Sequence, residues 1–305
     1  MNFLKSMFAK KWPVILFTAL LIFIGVRMYY QLTDDFRLAN MTYEISHHPE
    51  WEIAELPVID QIKMQKILDQ TFTYVGKGAQ SYVFSSEDGQ YVIKFFKFKH
   101  LKPSLFVDLL PPVYPFAGYK KSQQVRKARK LNGVFNGYHL SYEKHKEESG
   151  LFFIHLNKTT TLHKRVVVKD KLGLSHIIYL DSVVFLIQEK GETLSSVMNS
   201  LLKKGDIVQA KQRIRQVFDL YYAEYQKGIY DHDHAVMQNT GFTGTKPIHL
   251  DVGKMHSDPQ IKEPARYKSD LLIIYSKIDR WYKVNYPQYR EELSADMHQK
   301  FLELI

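Results

Sequence analysis

The stretch YVGKGAQSYVFSSEDGQYVIKFFKF, residues 74–98, holds two glycines one residue apart and two runs of alternating apolar residues. Asp88-Gly89 lies between the runs and is a strong turn signal, so the stretch predicts a β-hairpin. Lys94 interrupts the second apolar run, YVIKFF. Because a lysine on a buried strand must meet an anion or leave the core, Lys94 either faces a ligand or lies on an edge strand in solvent.

Composition limits the class of protein. The chain has 305 residues, 45% of them apolar, with a net charge of +10 and no cysteine. Disulfide scaffolds and thiolate metal sites are therefore excluded. A basic chain favours anionic partners such as phosphorylated small molecules, nucleic acid or a membrane face, although a solvated basic surface explains it equally well. We expect no nucleic-acid partner, because the sequence contains no helix-turn-helix, zinc-finger or aromatic RNA-binding motif.

The first thirty residues predict a transmembrane helix. The apolar run from Trp12 to Tyr30 is broken only by Arg27, and as a helix it spans roughly 28 Å, close to a bilayer core. A cleavable signal peptide and a buried helix are the alternatives, but GVRMYYQLT contains no small-x-small cleavage site. We expect a retained single-pass anchor at residues 12–30, which makes the membrane a partner.

The rest of the chain divides into strand-rich and helix-rich parts. Residues 1–33 are the tail and transmembrane helix, and 34–56 are a polar linker. Apolar β-type runs and a helix at 119–148, broken at Gly133 or Gly137, predict an N-lobe over 57–190. Helical patterns predict a C-lobe over 191–305, with a helix at 205–228 that starts near Asp206 and ends at Gly228. The fold class expected is α+β.

Glycines near the hairpin are the first chemistry-bearing feature. Gly76, Gly78 and Ser81 form G-x-G-x-x-S, with Val83 on the strand that follows. Glycines here let backbone N–H groups approach phosphate oxygens, whereas an ordinary glycine-containing hairpin is the plain alternative.

Acidic residues form the second feature, in two later loops. YDHDHAVMQN contains Asp231, Asp233 and Asn239, and HLDVGKM contains Asp251 before Gly253. Carboxylate and amide oxygens at such positions can share a divalent cation, and one carboxylate can accept a hydroxyl proton. Taken separately, the first could be a surface loop and the second an ordinary turn.

In this order the motifs resemble those of the protein-kinase-like superfamily: the glycine-rich loop, the V-A-I-K lysine, the H-R-D…N loop and D-F-G. The resemblance covers roughly residues 70–285. It implies a bilobal protein-kinase-like fold and transfer of phosphate from ATP, with Mg²⁺, to an acceptor hydroxyl that the sequence does not identify.

Residue by residue, the resemblance implies Asp233 as catalytic base and Lys94 as both a catalytic and a phosphate-binding residue. Asn239 and Asp251 are the implied metal ligands. The implied nucleotide-binding residues are Gly76, Gly78, Ser81, Val83, Lys94 and, at the hinge, Glu189.

Departures from the family pattern leave the function open. Asn239 stands one residue too far from Asp233, Asp231 replaces a histidine, and Val252 replaces a phenylalanine. The glutamate partner that the resemblance implies for Lys94 is not obvious, since the helix at 119–148 has no glutamate until Glu143, Glu147 and Glu148, and Glu143 is taken as the candidate. One interpretation is a compact phosphotransferase, a class that includes kinases of a sugar, lipid head group or aminoglycoside-like alcohol. The alternative is a weak or dead pseudokinase that serves as a membrane-bound scaffold.

Two expectations concern the membrane. Lys5, Lys10 and Lys11 precede the apolar run, whereas Arg27 and Arg37 lie within or after it, which mildly favours export of the body. An ATP-using cleft belongs in the cytosol, so we expect a cytoplasmic kinase-like region in a bacterial membrane protein. The basic run over residues 120–130 is either a solvated helix face or a surface that docks on anionic lipid.

Overall fold

The computed structural model describes the backbone of residues 2–305 and the side chains of residues 12–99, 101–104 and 106–305. The helices in this part of the chain are α1 Asn2–Leu32, α2 Val58–Leu68, α3 Leu105–Leu109, α4 Phe116–Lys144, α5 Lys146–Ser149, α6 Leu194–Lys203, α7 Ile207–Lys227, α8 Val236–Asn239, α9 Pro264–Asn285 and α10 Arg290–Leu304. The strands are β1 Thr71–Lys77, β2 Ser81–Ser86, β3 Tyr91–Phe96, β4 Leu151–His155, β5 Arg165–Lys169, β6 Ser175–Tyr179, β7 Phe185–Glu189, β8 Glu192–Thr193, β9 Ile229–Asp231, β10 Thr240–Thr243, β11 Lys246–His249 and β12 Met255–Ser257. The predicted α+β class is confirmed.

One mixed sheet of seven strands carries the first half of the fold, in the order β4-β7-β3-β2-β1-β5-β6. The hairpin predicted around Asp88-Gly89 is confirmed, since β2 and β3 pair antiparallel with Val83 opposite Lys94. On its other edge β3 pairs antiparallel with β7, which places Leu186 beside Lys94. Lys94 therefore lies on a central strand, and the edge-strand interpretation is wrong.

Helix α4 runs unbroken through Gly133 and Gly137, one or the other of which was expected to interrupt it. Gly137 is required by packing instead, because a Cβ there would lie 2.8 Å from the carbonyl oxygen of Val252. The second half of α4 buries Val134, Phe135 and Tyr138, so tertiary contacts outweigh the low helix propensity of glycine.

The helices after residue 193 enclose a separate apolar core. Helix α7 begins where Asp206 accepts a hydrogen bond from the Gln209 N–H and ends at Gly228, whose φ of +73° closes the helix in the left-handed region. Both boundary predictions are confirmed. The core is built chiefly from apolar residues of α6, α7, α9 and α10, such as Leu194, Met198, Phe218, Tyr221, Leu271, Ile274, Ile278, Leu293, Met297 and Phe301.

The segment over residues 34–56, predicted as a linker, is packed against the fold. Phe36, Met41, Trp51 and Leu56 are buried, and the Trp51 indole N–H donates to Asn136 Oδ1 at 2.7 Å. The segment holds only two short 3₁₀ turns between its contacts. Isolated buried side chains in irregular backbone leave no periodic pattern, which is why the sequence of this segment predicted a polar linker.

Helix α1 is the one helix of the described chain that is long and apolar enough to cross a bilayer. The apolar part is Trp12–Leu32, with 21 residues, a mean hydropathy of 1.8 and none of it buried in the protein. At its end the hydroxyl group of Tyr29 donates to Asp170 at 3.0 Å, so the helix leaves from the β5–β6 side of the sheet.

Gly241 gives a test of this packing. A Cβ on Gly241 would lie 2.0 Å from the carbonyl oxygen of Glu192, the residue after the turn that joins β7 to β8. We expect Gly241→Ala to lower the free energy of unfolding by about 2 kcal/mol or more, because backbone must move. The measurement is denaturant unfolding of the full chain in detergent.

The matched control is Gly133→Ala, in the middle of α4, where a Cβ would meet no atom within 4 Å. This change should stabilise the protein by about 0.5–1 kcal/mol, since alanine favours the helix. Equal effects of the two substitutions would contradict the packing described for Gly241.

Candidate functional site

Lys94 lies at the centre of a polar group between the sheet and the helical part. Its side chain is only 8% exposed, and its Nζ donates to the backbone carbonyl of Leu250. Burial lowers the pKa of Lys94 to about 8, while the neighbouring carboxylate of Asp251 acts in the opposite direction. The structure thus brings together the lysine of the hairpin and the aspartate of the D-V-G loop, two residues far apart in sequence.

Asp251 is held in place by two hydrogen bonds to one of its oxygens. Oδ1 accepts from the Tyr138 hydroxyl group at 2.9 Å and from the Gly253 N–H at 3.1 Å. Among the described residues Oδ2 has no hydrogen bond, so it is free to bind a ligand. Burial and the adjacent Asp251 raise the pKa of Tyr138 well above its usual value, which keeps the phenol protonated and donating.

Tyr138 projects from α4 toward Asp251, whereas the helix was expected to supply a glutamate that pairs with Lys94. Glu143, the residue suggested for that role, is exposed, so this pairing is wrong. Glu143 is five residues beyond Tyr138, which places it on a different face of the helix. Sequence reasoning missed Tyr138 because it searched the helix for a carboxylate.

Asn239 connects the two aspartates. Its Nδ2 donates to Asp233 Oδ2 at 3.2 Å, and its backbone carbonyl accepts from the Asp251 N–H at 3.3 Å. The structure therefore brings together Asp233, Asn239 and Asp251, the three residues predicted from the two acidic loops. Asn239 Oδ1 and Asp251 Oδ2 are left as oxygen atoms of the type that Mg²⁺ prefers.

The chain makes a local turn between Asp233 and Asn239, which accommodates the extra residue. His234 takes a left-handed conformation with φ of 50°, and the four-residue helix α8 follows. The His234 imidazole pairs with Asp270 Oδ1 at 2.7 Å, while the Tyr225 hydroxyl group donates to Asp270 Oδ2 at 2.7 Å. This hydrogen bond to Asp270 raises the pKa of His234 despite its partial burial. Asp233 and Asn239 therefore stay in contact although one more residue separates them than in the H-R-D…N motif.

Lys254 is a second residue that sequence reasoning missed. Its Nζ lies 3.1 Å from Asp233 Oδ1, and its side chain is partly open to solvent. Its position directly after D-V-G was the available signal, since that loop also carries Asp251. A cation here can balance the carboxylate of Asp233 or contact an anionic ligand.

The predicted nucleotide-binding residues lie along the same sheet. Gly78 N–H donates to the Ser81 carbonyl at 3.0 Å, and a Cβ at Gly76 would meet no protein atom within 4 Å. Packing within the chain therefore does not require glycine at Gly76, and the open space could receive a ligand. Val83 pairs with Lys94 across the hairpin. Glu189 ends β7, where its N–H donates to the Gly150 carbonyl at 2.8 Å.

Three buried side chains, His145, Glu224 and His249, form a polar cluster next to the loop that carries Asp251. His145 Nε2 lies 3.0 Å from Glu224 Oε1, and His249 pairs with the same oxygen. These three residues are close enough to hold a metal ion. Burial opposes the charge on His145, but Glu224 and Glu148 together raise the pKa of His145. The ion pairs of Glu224 with His145 and His249 tie α4, α7 and β11 together.

No protein-family model matches the chain, and no curated protein matches it. Among solved structures, WbdD with the kinase inhibitor LY294002 is 13% identical over 73% of this chain and 44% of the WbdD chain, with a TM-score of 0.36. The bifunctional kinase-methyltransferase WbdD is 14% identical over 72% and 42%, with a TM-score of 0.33. The complex of Rv3197 with erythromycin, from Mycobacterium tuberculosis, is 15% identical over 67% and 53%, with a TM-score of 0.30. The chain spans about half the length of these proteins or less, and TM-scores below 0.5 do not define a shared fold.

Asp231 provides a pH-dependent test of this loop. It is 1% exposed, and its Oδ1 accepts from the Asp233 N–H at 2.9 Å. Burial raises the pKa of Asp231 to about 6 from 3.8. Because the unfolded chain releases this proton more readily, the carboxyl group lowers stability progressively as pH rises from about 4 to 6.

We expect Asp231→Asn, which mimics the protonated acid, to match the wild-type protein near pH 4 and to exceed its free energy of unfolding at pH 7. Two pKa units correspond to about 3 kcal/mol. The measurement is the melting temperature of both proteins across pH 4–8. A difference between them that stays constant over this range would contradict a raised pKa.

Proposed function

We propose that the protein is a membrane-anchored phosphotransferase of protein-kinase-like fold that uses ATP and Mg²⁺. One observation carries the proposal: the buried ammonium group of Lys94 lies against the D-V-G loop that bears Asp251. A cation on a central apolar strand is costly unless anions compensate for its lost hydration. The phosphates of a nucleotide supply those anions.

In the proposed enzyme, separate groups of residues bind the nucleotide and the magnesium ion. Lys94 contacts the phosphates, and the backbone of the loop at Gly76 and Gly78 covers them. Ser81 and Val83 follow on β2, and Glu189 lies where β7 leads into the helical part. Asp251 and Asn239 would hold Mg²⁺, which would supply charge neutralisation at the phosphate oxygens.

Asp233 is the catalytic base in this proposal. It accepts the proton of the acceptor hydroxyl group while that oxygen forms a bond to the γ-phosphorus. The bond from the γ-phosphorus to the bridging oxygen breaks, and ADP leaves. The ion pair with Lys254 and the hydrogen bond from Asn239 orient the Asp233 carboxylate.

A scaffold function is the second candidate, and two contacts favour it. Tyr138, a neutral donor, is the residue of α4 that contacts Asp251, and Lys254 already pairs with one oxygen of Asp233. A pseudokinase would keep the nucleotide site or the fold without turnover.

The chain is tethered by residues 12–30, within the apolar part of α1, and the proposed site faces the cytosol because ATP is found there. This orientation opposes the small excess of lysines before the helix.

Nucleotide binding tests the assignment of Lys94 and Asp251. We expect the full chain in detergent to bind ATP in a magnesium-dependent way, measured by calorimetric titration. Lys94→Met and Asp251→Asn should each weaken binding by about 10- to 100-fold, which corresponds to a lost charge-assisted contact. Lys169→Met, an exposed lysine on β5, is the matched control and should bind as the wild-type protein does.

Asp233→Asn separates the enzyme from the scaffold. It should retain ATP binding but lose about 10²- to 10⁴-fold of ATP turnover, the usual contribution of a general base. A wild-type protein that binds ATP but does not hydrolyse or transfer its phosphate would favour the scaffold. Failure of every nucleotide to bind would contradict the phosphotransferase.

Orientation is tested with reporters fused to the C-terminus in bacterial cells. A cytoplasmic body predicts fluorescence from a green fluorescent protein fusion and no activity from an alkaline phosphatase fusion. Phosphatase activity would place the body outside the cytosol and contradict the proposed use of cellular ATP.

A further inference from the structure

The first half of α4 and the segment before it leave many apolar side chains in solvent. Seven large ones between residues 106 and 125 are exposed: Phe106, Leu109, Val113, Tyr114, Phe116, Tyr119 and Val125. Leu109 is 83% exposed and Tyr114 is 96% exposed. Single exposed apolar residues are common, but a run of this kind marks a contact with a partner or a membrane.

The same half-helix is strongly cationic. Residues 116–130 contain six lysines and arginines among fifteen residues and no aspartate or glutamate: Lys120, Lys121, Arg126, Lys127, Arg129 and Lys130. Lys120 donates to the backbone carbonyls of Asp108 and Leu110, so these bonds leave its charge without a carboxylate. No described residue of α4 before Leu131 is buried. The half-helix therefore extends beyond the core with apolar and cationic side chains together.

This segment starts beside the end of α1. Lys99 Nζ lies 2.7 Å from Asp35 Oδ2, three residues after α1 ends, and the rings of Phe98 and Tyr43 are 5.5 Å apart. The guanidinium group of Arg37 lies over the ring of Tyr30, the last residue of the proposed anchor. The chain thus passes the residues that follow α1 immediately before it forms α3.

We propose that residues 106–130, here called the amphipathic surface, bind the face of a bilayer that contains anionic lipid, next to the anchor. The proposal rests on the membrane anchorage proposed above. Cations attract the acidic head groups, and Phe, Tyr, Leu and Val side chains enter the boundary between head groups and acyl chains.

A membrane explains both properties of the amphipathic surface, whereas other anionic partners explain one. Nucleic acid attracts lysine and arginine, but it offers no apolar phase for Leu109, Val113 and Val125. An acidic protein would need its own apolar patch, whereas a bilayer beside α1 supplies both chemistries without a further partner.

Contact of the amphipathic surface with lipid would also affect the candidate site through α4. α4 continues without a break from the amphipathic surface to Gly137 and Tyr138, which contact the D-V-G loop. The surface therefore orients the helix that positions Asp251.

The absence of cysteine makes a direct test possible with the full chain. Leu109→Cys is labelled with an environment-sensitive fluorophore, and the protein is reconstituted into vesicles that carry a lipid-borne quencher. We expect several-fold stronger quenching in vesicles of phosphatidylcholine with phosphatidylserine than in phosphatidylcholine alone. Replacing Lys120, Lys121, Arg126, Arg129 and Lys130 by glutamine should abolish this difference.

Two further labels separate the possible outcomes. Val208→Cys, on α7 and 76% exposed, is the control and should remain unquenched. Phe17→Cys reports whether α1 enters the bilayer. Quenching at Phe17→Cys without quenching at Leu109→Cys would overturn the amphipathic surface and leave the anchor intact. Quenching at neither position would overturn both, and a response of Leu109→Cys to soluble heparin but not to vesicles would assign the surface to a soluble polyanion.

Discussion

The buried ammonium group of Lys94 sets the constraint on which the candidate site depends. It lies on a central strand between Val83 and Leu186, and its side chain is only 8% exposed to water. The carbonyl of Leu250 and the carboxylate of Asp251 replace that water. Because a desolvated charge needs such partners, the loop after β11 must stay against the sheet, and this contact fixes how the strand-rich and helical parts meet at the site.

The helix α4 and the loops of the helical part share that constraint. Gly137 allows α4 to approach the backbone at Val252, and Tyr138 then reaches Asp251. Glu224 pairs with His145 after α4 and with His249 before the loop. Movement of α4 would therefore disturb Asp251 from two sides. Tyr138 thus positions the carboxylate of Asp251 from α4.

The parts of the site that could be predicted from the sequence are those with strong local signals. Asp88-Gly89 indicated the hairpin, and the lysine within YVIKFF indicated a buried charge. The contacts of Tyr138 and Lys254 were missed, because α4 was searched for a carboxylate rather than a tyrosine, and because Lys254, although it directly follows D-V-G, belongs to no motif that pairs it with Asp233. The β5–β6 hairpin, which extends the sheet beside β1, and the packing of Trp51 depend on long-range contacts that no periodic pattern reports.

Chemical labelling of Lys94 tests the central claim most directly. With its pKa lowered to about 8, Lys94 is partly neutral and nucleophilic near that pH, and an acyl-phosphate derivative of ATP would transfer its acyl group to a lysine beside bound phosphates. The account predicts that mass spectrometry of the labelled full chain finds the modification at Lys94 and that excess ATP with magnesium prevents it. Labelling confined to exposed lysines, or labelling of Lys94 that ATP does not reduce, would contradict a nucleotide site at this lysine.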